Sequence, residues 1–116
     1  MSNLIHPTAL VSDKATLGTG NNIGAFVVIE DDVVLGSDNI LLSGVVIKSG
    51  ARLGNENIIH EHAVIGGLPQ DLGFDAATPS FAEIGDKNTL REFVTIHRAS
   101  QENQSTKLGN ENYLMT

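Results

Sequence analysis

LGTGN (17–21), LGSDN (35–39) and LGNEN (53–57) repeat the pattern Leu-Gly-x-x-Asn at intervals of 18 residues. A shorter period runs beneath it. From Ile5 every sixth residue is a large aliphatic: Val11, Leu17, Ile23, Ile29, Leu35, Leu41, Ile47, Leu53, Ile59 and Ile65. Four residues after each comes a small or medium side chain, from Ala9, Ala15 and Asn21 through to Asn57 and Ala63. A period of six fits neither a helix nor a plain alternating strand. Self-similarity at a fixed period marks a solenoid. Three hexads make one 18-residue unit, so the chain should wind around a three-sided prism, each side a short strand. Stacked coils would then pair as parallel strands about 4.8 Å apart. The expected fold is all-β, a parallel β-helix of hexapeptide repeats with about five coils, forming one domain over 1–116.

Two residue types in the repeat have specific expected roles. Gly18, Gly36 and Gly54 would supply corners with φ > 0, which glycine adopts without steric cost. Asn21, Asn39 and Asn57 stack vertically, and an inward amide ladder is their expected structure.

The rhythm stops after Ile65, resumes at Ile84, Leu90 and Ile96, stops again, and resumes at Leu108 and Leu114. The interruptions, 67–83 and about 99–107, both follow the third hexad of a coil. Both should therefore project from the same corner, where a solenoid tolerates insertions that often carry function. The last coil begins at Leu108 and the sequence ends at Thr116, inside its second hexad. A stacked coil needs a cap over its open end, so the expectation from sequence is a truncated chain.

Composition narrows the function classes. Seven Lys and Arg against fourteen Asp and Glu give a net charge of −7. Nucleic acid and anionic membrane surfaces, which need clustered basic residues, are not expected partners. Without cysteine there is neither a disulfide framework nor a thiolate metal site. The opening MSNLIHPTAL lacks a basic segment followed by an apolar run, so no secretory signal is expected. No apolar stretch approaches the roughly 20 residues of a membrane span. A cytoplasmic protein is the default reading.

The loop and the coil after it are more specific than the repeat. The stretches IHPTALV (5–11), AVIGGLPQDLGF (63–74), EIGDKNTLREFVTIHRAS (83–100) and TKLGNENYLM (106–115) closely resemble the UDP-N-acetylglucosamine O-acyltransferases that begin lipid A synthesis. The resemblance covers essentially the whole chain, in register. It implies a left-handed β-helix, usually a homotrimer with active sites between subunits. Such an enzyme moves a 3-hydroxyacyl chain from acyl carrier protein to the 3-position of UDP-N-acetylglucosamine or a 3-amino analogue. The chemistry needs a general base and no cofactor or metal. That base is a histidine in the coil following the YLM segment, so no catalytic residue is assigned within 1–116. Carried over by motif, Gln70 and Asp71 would face the acyl-pantetheine arm and the sugar, and His97 would line the same cleft. Asp71 could accept a charge-assisted hydrogen bond from a sugar hydroxyl, although a plain turn aspartate is the alternative. Gly73 departs from the resemblance, which has a lysine there reaching toward the acceptor.

Two other readings compete. Hexapeptide solenoids include carbonic anhydrases that hold zinc with three histidines, for which His6, His60, His62 and His97 are the candidates. His60 and His62, at i and i+2, would share the outer face of a strand, away from the loop corner, as solvated side chains. The other is a non-catalytic scaffold or trimerisation unit, which would have no reason to extrude Pro-Gln-Asp-Leu.

Overall fold

A computed structural model describes residues 2–116. All of its regular structure is short parallel strand, arranged as three sheets of six, five and five strands. The first face stacks Leu4–Ile5, Asn22–Ile23, Ile40–Leu41, Ile58–Ile59, Thr89–Leu90 and Tyr113–Leu114. The second stacks Leu10–Val11, Val28–Ile29, Val46–Ile47, Val64–Gly67 and Thr95–His97. The third stacks Thr16–Leu17, Val34–Leu35, Ala51–Leu53, Phe81–Ile84 and Ser105–Leu108. The fold is the left-handed parallel β-helix of hexapeptide repeats.

Register follows the periodicity. Ile23 pairs with Leu41 and Ile59 with Leu90 on one face; Ile29, Ile47 and Ile65 stack on the next; Leu35, Leu53 and Ile84 stack on the third. These side chains fill the interior at 0–4% exposure, with Val27, Val33, Val45, Ala51 and Ala63 beside them. Burying each large aliphatic contributes on the order of 2 kcal/mol. The alternate residue of each strand points out.

The asparagine ladder forms, and it is longer than the three repeats suggest. The amide oxygen of Asn21 accepts from the backbone N and Nδ2 of Asn39, and Asn39 does the same for Asn57. Asn3, Asn88 and Asn112 extend the chain of bonds at either end. Except at Asn112, the Nδ2 also reaches a glycine carbonyl of the next coil, as from Asn39 to Gly54 at 2.9 Å and from Asn57 to Gly85 at 2.9 Å. Among the described residues no buried side-chain nitrogen or oxygen lacks a partner.

The glycines have a different role from the expected one. Gly18, Gly36 and Gly54 do not take positive φ; the left-handed residue of that corner is Gly20, Asp38, Glu56, Lys87 or Glu111. What requires glycine is close approach. A Cβ on Gly18 would lie 2.5 Å from the Gly36 carbonyl oxygen, and one on Gly54 would lie 2.7 Å from that of Gly85. The column of glycines brings its carbonyls within reach of the asparagine amides.

The interruptions are narrower than their sequence limits, because the pairing continues into them. Gly67 belongs to the second face, and Phe81 pairs with Ser105 on the third. The loops proper are 68–80 and 98–104. Both leave the second face and return on the third, so they share one corner.

Candidate functional site

The two loops are tied to each other and to the coil. Asn103 N donates to the Pro79 carbonyl at 2.7 Å, and Ala99 N donates to Phe81 O at 3.2 Å. Within the first loop, Phe74 N bonds Asp71 O at 3.0 Å and Thr78 N bonds Asp75 O at 2.9 Å, forming successive turns. Arg98 runs beneath this arch. Its Nη2 donates to Thr78 O at 2.8 Å, its Nε to Ser80 Oγ at 3.2 Å, and its guanidinium lies 5.6 Å from the Phe74 ring centroid.

At the loop's neck, an open cavity of about 600 Å³ is lined by Gln70 and Pro69 from the loop, Thr95 to Ser100 from the adjoining strand and turn, and Thr106 from the far side. Gln70 and His97 thus come to one site from positions 27 residues apart (97 − 70). His97 points away from the coil, as expected, but the loop partly covers it. Its Nδ1 lies 2.7 Å from the Leu68 carbonyl oxygen. A carbonyl only accepts, so Nδ1 carries the proton and Nε2 is the acceptor of the neutral ring. One ring nitrogen is thereby left able to take a proton or a hydrogen bond.

Asp71 does not line this cavity. It is exposed, and its Oδ1 accepts from Gly73 N at 2.9 Å, the bond of an aspartate turn. The second carboxylate oxygen remains available. Gly73 is exposed, and a Cβ there would meet only that Asp71 oxygen at 3.5 Å. Backbone crowding therefore does not exclude a longer side chain at position 73.

The histidines do not converge within the chain. The strand ends at Ile59, so His60 and His62 sit in the corner rather than on one strand face. His62 takes φ 63° and stacks on Phe93 with ring centroids 5.4 Å apart. His60 is half-buried rather than freely solvated, with Nδ1 3.7 Å from Glu61 and 3.9 Å from Glu92. Among the described residues this His60–Glu61–Glu92 group is the one with metal-like spacing. It contains one histidine, and Glu92 already accepts from Arg91 Nε at 2.8 Å. Hydrogen bonds from Arg91 and the backbone hold the Glu92 carboxyl below its ordinary range.

Arg98, Phe74 and the Leu68 carbonyl were not singled out from the sequence. The arginine stands inside the motif that identified His97, but nothing local signals its partners 18 to 24 residues earlier in the chain.

No family model matches the chain. It is 58% identical over 112 residues to an acyl-[acyl-carrier-protein]–UDP-N-acetylglucosamine O-acyltransferase of a Sulfurihydrogenibium strain, covering 96% of this chain and 41% of the relative. The protein of the same description from Cupriavidus necator is 61% identical over 112 residues, with 96% and 42% covered. The chain therefore spans about two fifths of the length of the curated relatives it matches. Among solved structures, a UDP-N-acetylglucosamine acyltransferase from Bacteroides fragilis superposes with a TM-score of 0.91 at 42% identity, over 97% of this chain and 44% of that one. The enzyme from Francisella novicida gives 0.91 at 35% identity, over 97% and 41%.

Proposed function

From this homology over part of the relatives' length, we propose that the chain forms the first five coils and the loop of an acyltransferase cleft. The enzyme so built moves a 3-hydroxyacyl group from acyl carrier protein to the 3-position of UDP-N-acetylglucosamine, the opening step of lipid A biosynthesis in the cytoplasm. The observation that carries this reading is the alignment at 58% identity over 112 residues, a span of 96% of the chain that takes in the loop as well as the repeat. A scaffold would need only the repeat.

In this cleft Gln70 and His97 hold the acyl-pantetheine arm and Asp71 orients the sugar. The unused oxygen of Asp71 would accept from a sugar hydroxyl, while its turn bond to Gly73 N keeps the carboxylate in place. His97, protonated at Nδ1 by its bond to Leu68, would accept at Nε2. None of these is assigned as the base; in the family that histidine stands in the coil after the YLM segment. A base of this kind is worth about 10²–10⁴-fold, so this chain by itself should turn over little.

The active assembly is proposed to be a homotrimer. Outward aliphatics on the first face (Leu4, Ile40, Ile58) and second face (Leu10, Val28, Val46, Val64) suit burial against a neighbouring copy. The third face is more charged, carrying Arg52, Glu83 and Lys107 in register.

The test is acyl transfer from 3-hydroxyacyl carrier protein to UDP-N-acetylglucosamine. It is run on the chain alone and on a chimera continued past Thr116 with the remainder of the Sulfurihydrogenibium relative. Silence from the chain and turnover by the chimera is the expected pair. Robust turnover by the chain alone would make a group present here, such as His97, the base. A folded but silent chimera would remove the reading.

A further inference from the structure

We propose that Arg98 is the positioning residue of this cleft, the side chain that holds the 68–80 loop in the shape that sets Gln70 beside His97. The inference rests on the proposed function for its purpose, but on geometry alone for the contact. One guanidinium meets the returning arm of the loop three times. It bonds the Thr78 carbonyl at 2.8 Å and Ser80 Oγ at 3.2 Å, and it faces the Phe74 ring at 5.6 Å. Its own backbone N donates to Gly67 O at 2.8 Å, at the point where the loop departs. A single residue therefore ties the departing and returning arms.

The surrounding sequence accommodates this side chain. Gly50, in the coil before the loop, has φ 95°, and a Cβ there would come within 2.9 Å of Arg98 Cδ. Ser80 is buried at 2% exposure and supplies the hydroxyl that accepts from Nε. Arginine suits the position because its planar fork can bond two acceptors while its flat face lies on an aromatic ring. A lysine ammonium is a point charge without that face.

His97 is coupled to the same device. Its ring bonds Leu68 O, a loop carbonyl, so its tautomer depends on where the loop lies. If the Arg98 side chain releases the returning arm, the Leu68 carbonyl is held only from the departing arm, through the bond of Arg98 N to Gly67 O. The neutral imidazole then reverts toward the proton distribution of a free ring. Arg98 does not touch substrate in this account; it acts through the loop and through His97.

The experiment compares the chain with Arg98→Ala, Arg98→Lys and Phe74→Leu by NMR. Amide exchange is read at Phe74, Thr78 and Asn103, whose bonds lie within or between the loops, and at Asn39 and Asn57 in the coil as internal controls. Loss of charge-assisted bonds should speed loop exchange in Arg98→Ala by about tenfold or more and leave the controls unchanged. Arg98→Lys should restore only part of the protection, and Phe74→Leu should show a smaller effect in the same direction. The 15N shifts of the neutral His97 ring should report Nδ1–H in the parent and a mixture in Arg98→Ala. A merely structural role would alter loop and coil amides together, without moving the tautomer. Unchanged loop exchange together with an unchanged tautomer in Arg98→Ala would overturn the proposal. Should Arg98→Ala not fold, Arg98→Lys and Phe74→Leu decide the same question.

The samples are then titrated with 3-hydroxyacyl-phosphopantetheine. Perturbation of Gln70 and His97 in the parent, lost in Arg98→Ala, is the expected result. If the parent shows none while Arg98→Ala still frees the loop, the acyltransferase reading of the cavity fails and the positioning contact stands.

Discussion

Replacing Asn39 by Ala would take an acceptor and an amide donor out of the middle of the ladder. Asn57 N and Nδ2 would lose the oxygen they share, and the Gly54 carbonyl would lose its donor. Asn39 and Asn57 are both buried, so the expected cost is about 3 kcal/mol, read from the urea midpoint at unchanged slope. The glycine column and the left-handed corner make opposite predictions. Gly36→Ala collides with the Gly54 backbone and should destabilise by about 2 kcal/mol or more. Glu56→Gly relieves a residue held at φ 58° and should stabilise by up to about 1 kcal/mol. The reverse pattern would mean that the repeat glycine is the turn residue after all. At Glu92 the titration has a definite sign. Arg91 holds the folded carboxyl below its unfolded pKa. The small stability this adds is present above the unfolded value and disappears as pH falls through the folded one. Arg91→Ala should raise the Glu92 midpoint toward the ordinary glutamate value in an NMR titration.

A strand of two residues has almost no stability of its own; it persists because the coils on either side supply its partners. The coil before the loop makes the same corner with Lys48, Ser49 and Gly50, and the register equates Ile47 with Ile65 and Ala51 with Ala82. Residues 66–81 should therefore be replaceable by Lys-Ser-Gly with the β-helix intact. The expected change in unfolding free energy is within about 2 kcal/mol, because the ordering entropy of the loop offsets the contacts it makes. In the chimera the same replacement should abolish acyl transfer while circular dichroism stays that of a β-helix. Collapse of the fold would show that the loop is structural.

Over the whole prism, 40 × 29 × 20 Å, polar and apolar outward residues are unevenly shared among the faces. Ile40 and Ile58 stack on the outside of the first face at 37% and 36% exposure. Because they do not reach the core, Ile40→Asp with Ile58→Asp should leave the coil folded. In the chimera the pair should shift sedimentation from trimer toward monomer and lower transfer with it, since the proposed clefts lie between subunits. A double variant that stays trimeric would place the interface on another face. Among the described residues no helix is long and apolar enough to cross a membrane.

The period of six within 18, the inward aliphatics and the asparagine column could all be read along the chain, because each repeats where the coil returns to the same face. The corner that would bear the loops followed from the same count. Other features depend on what the next coil brings close. The glycines proved to be sites of backbone approach rather than of turning, since the steric limit comes from a carbonyl one coil away. His60 met Glu92, 32 positions later (92 − 60), because a two-residue strand ends where the corner begins. Gln70 and His97 were legible as motif residues, whereas Asp71 stood outside their cavity because its carboxylate closes a turn. Arg98 found Phe74 and Ser80 only through folding. A solenoid writes its own period into its sequence, but an insertion has none, so its contacts are decided by the shape of the corner from which it leaves.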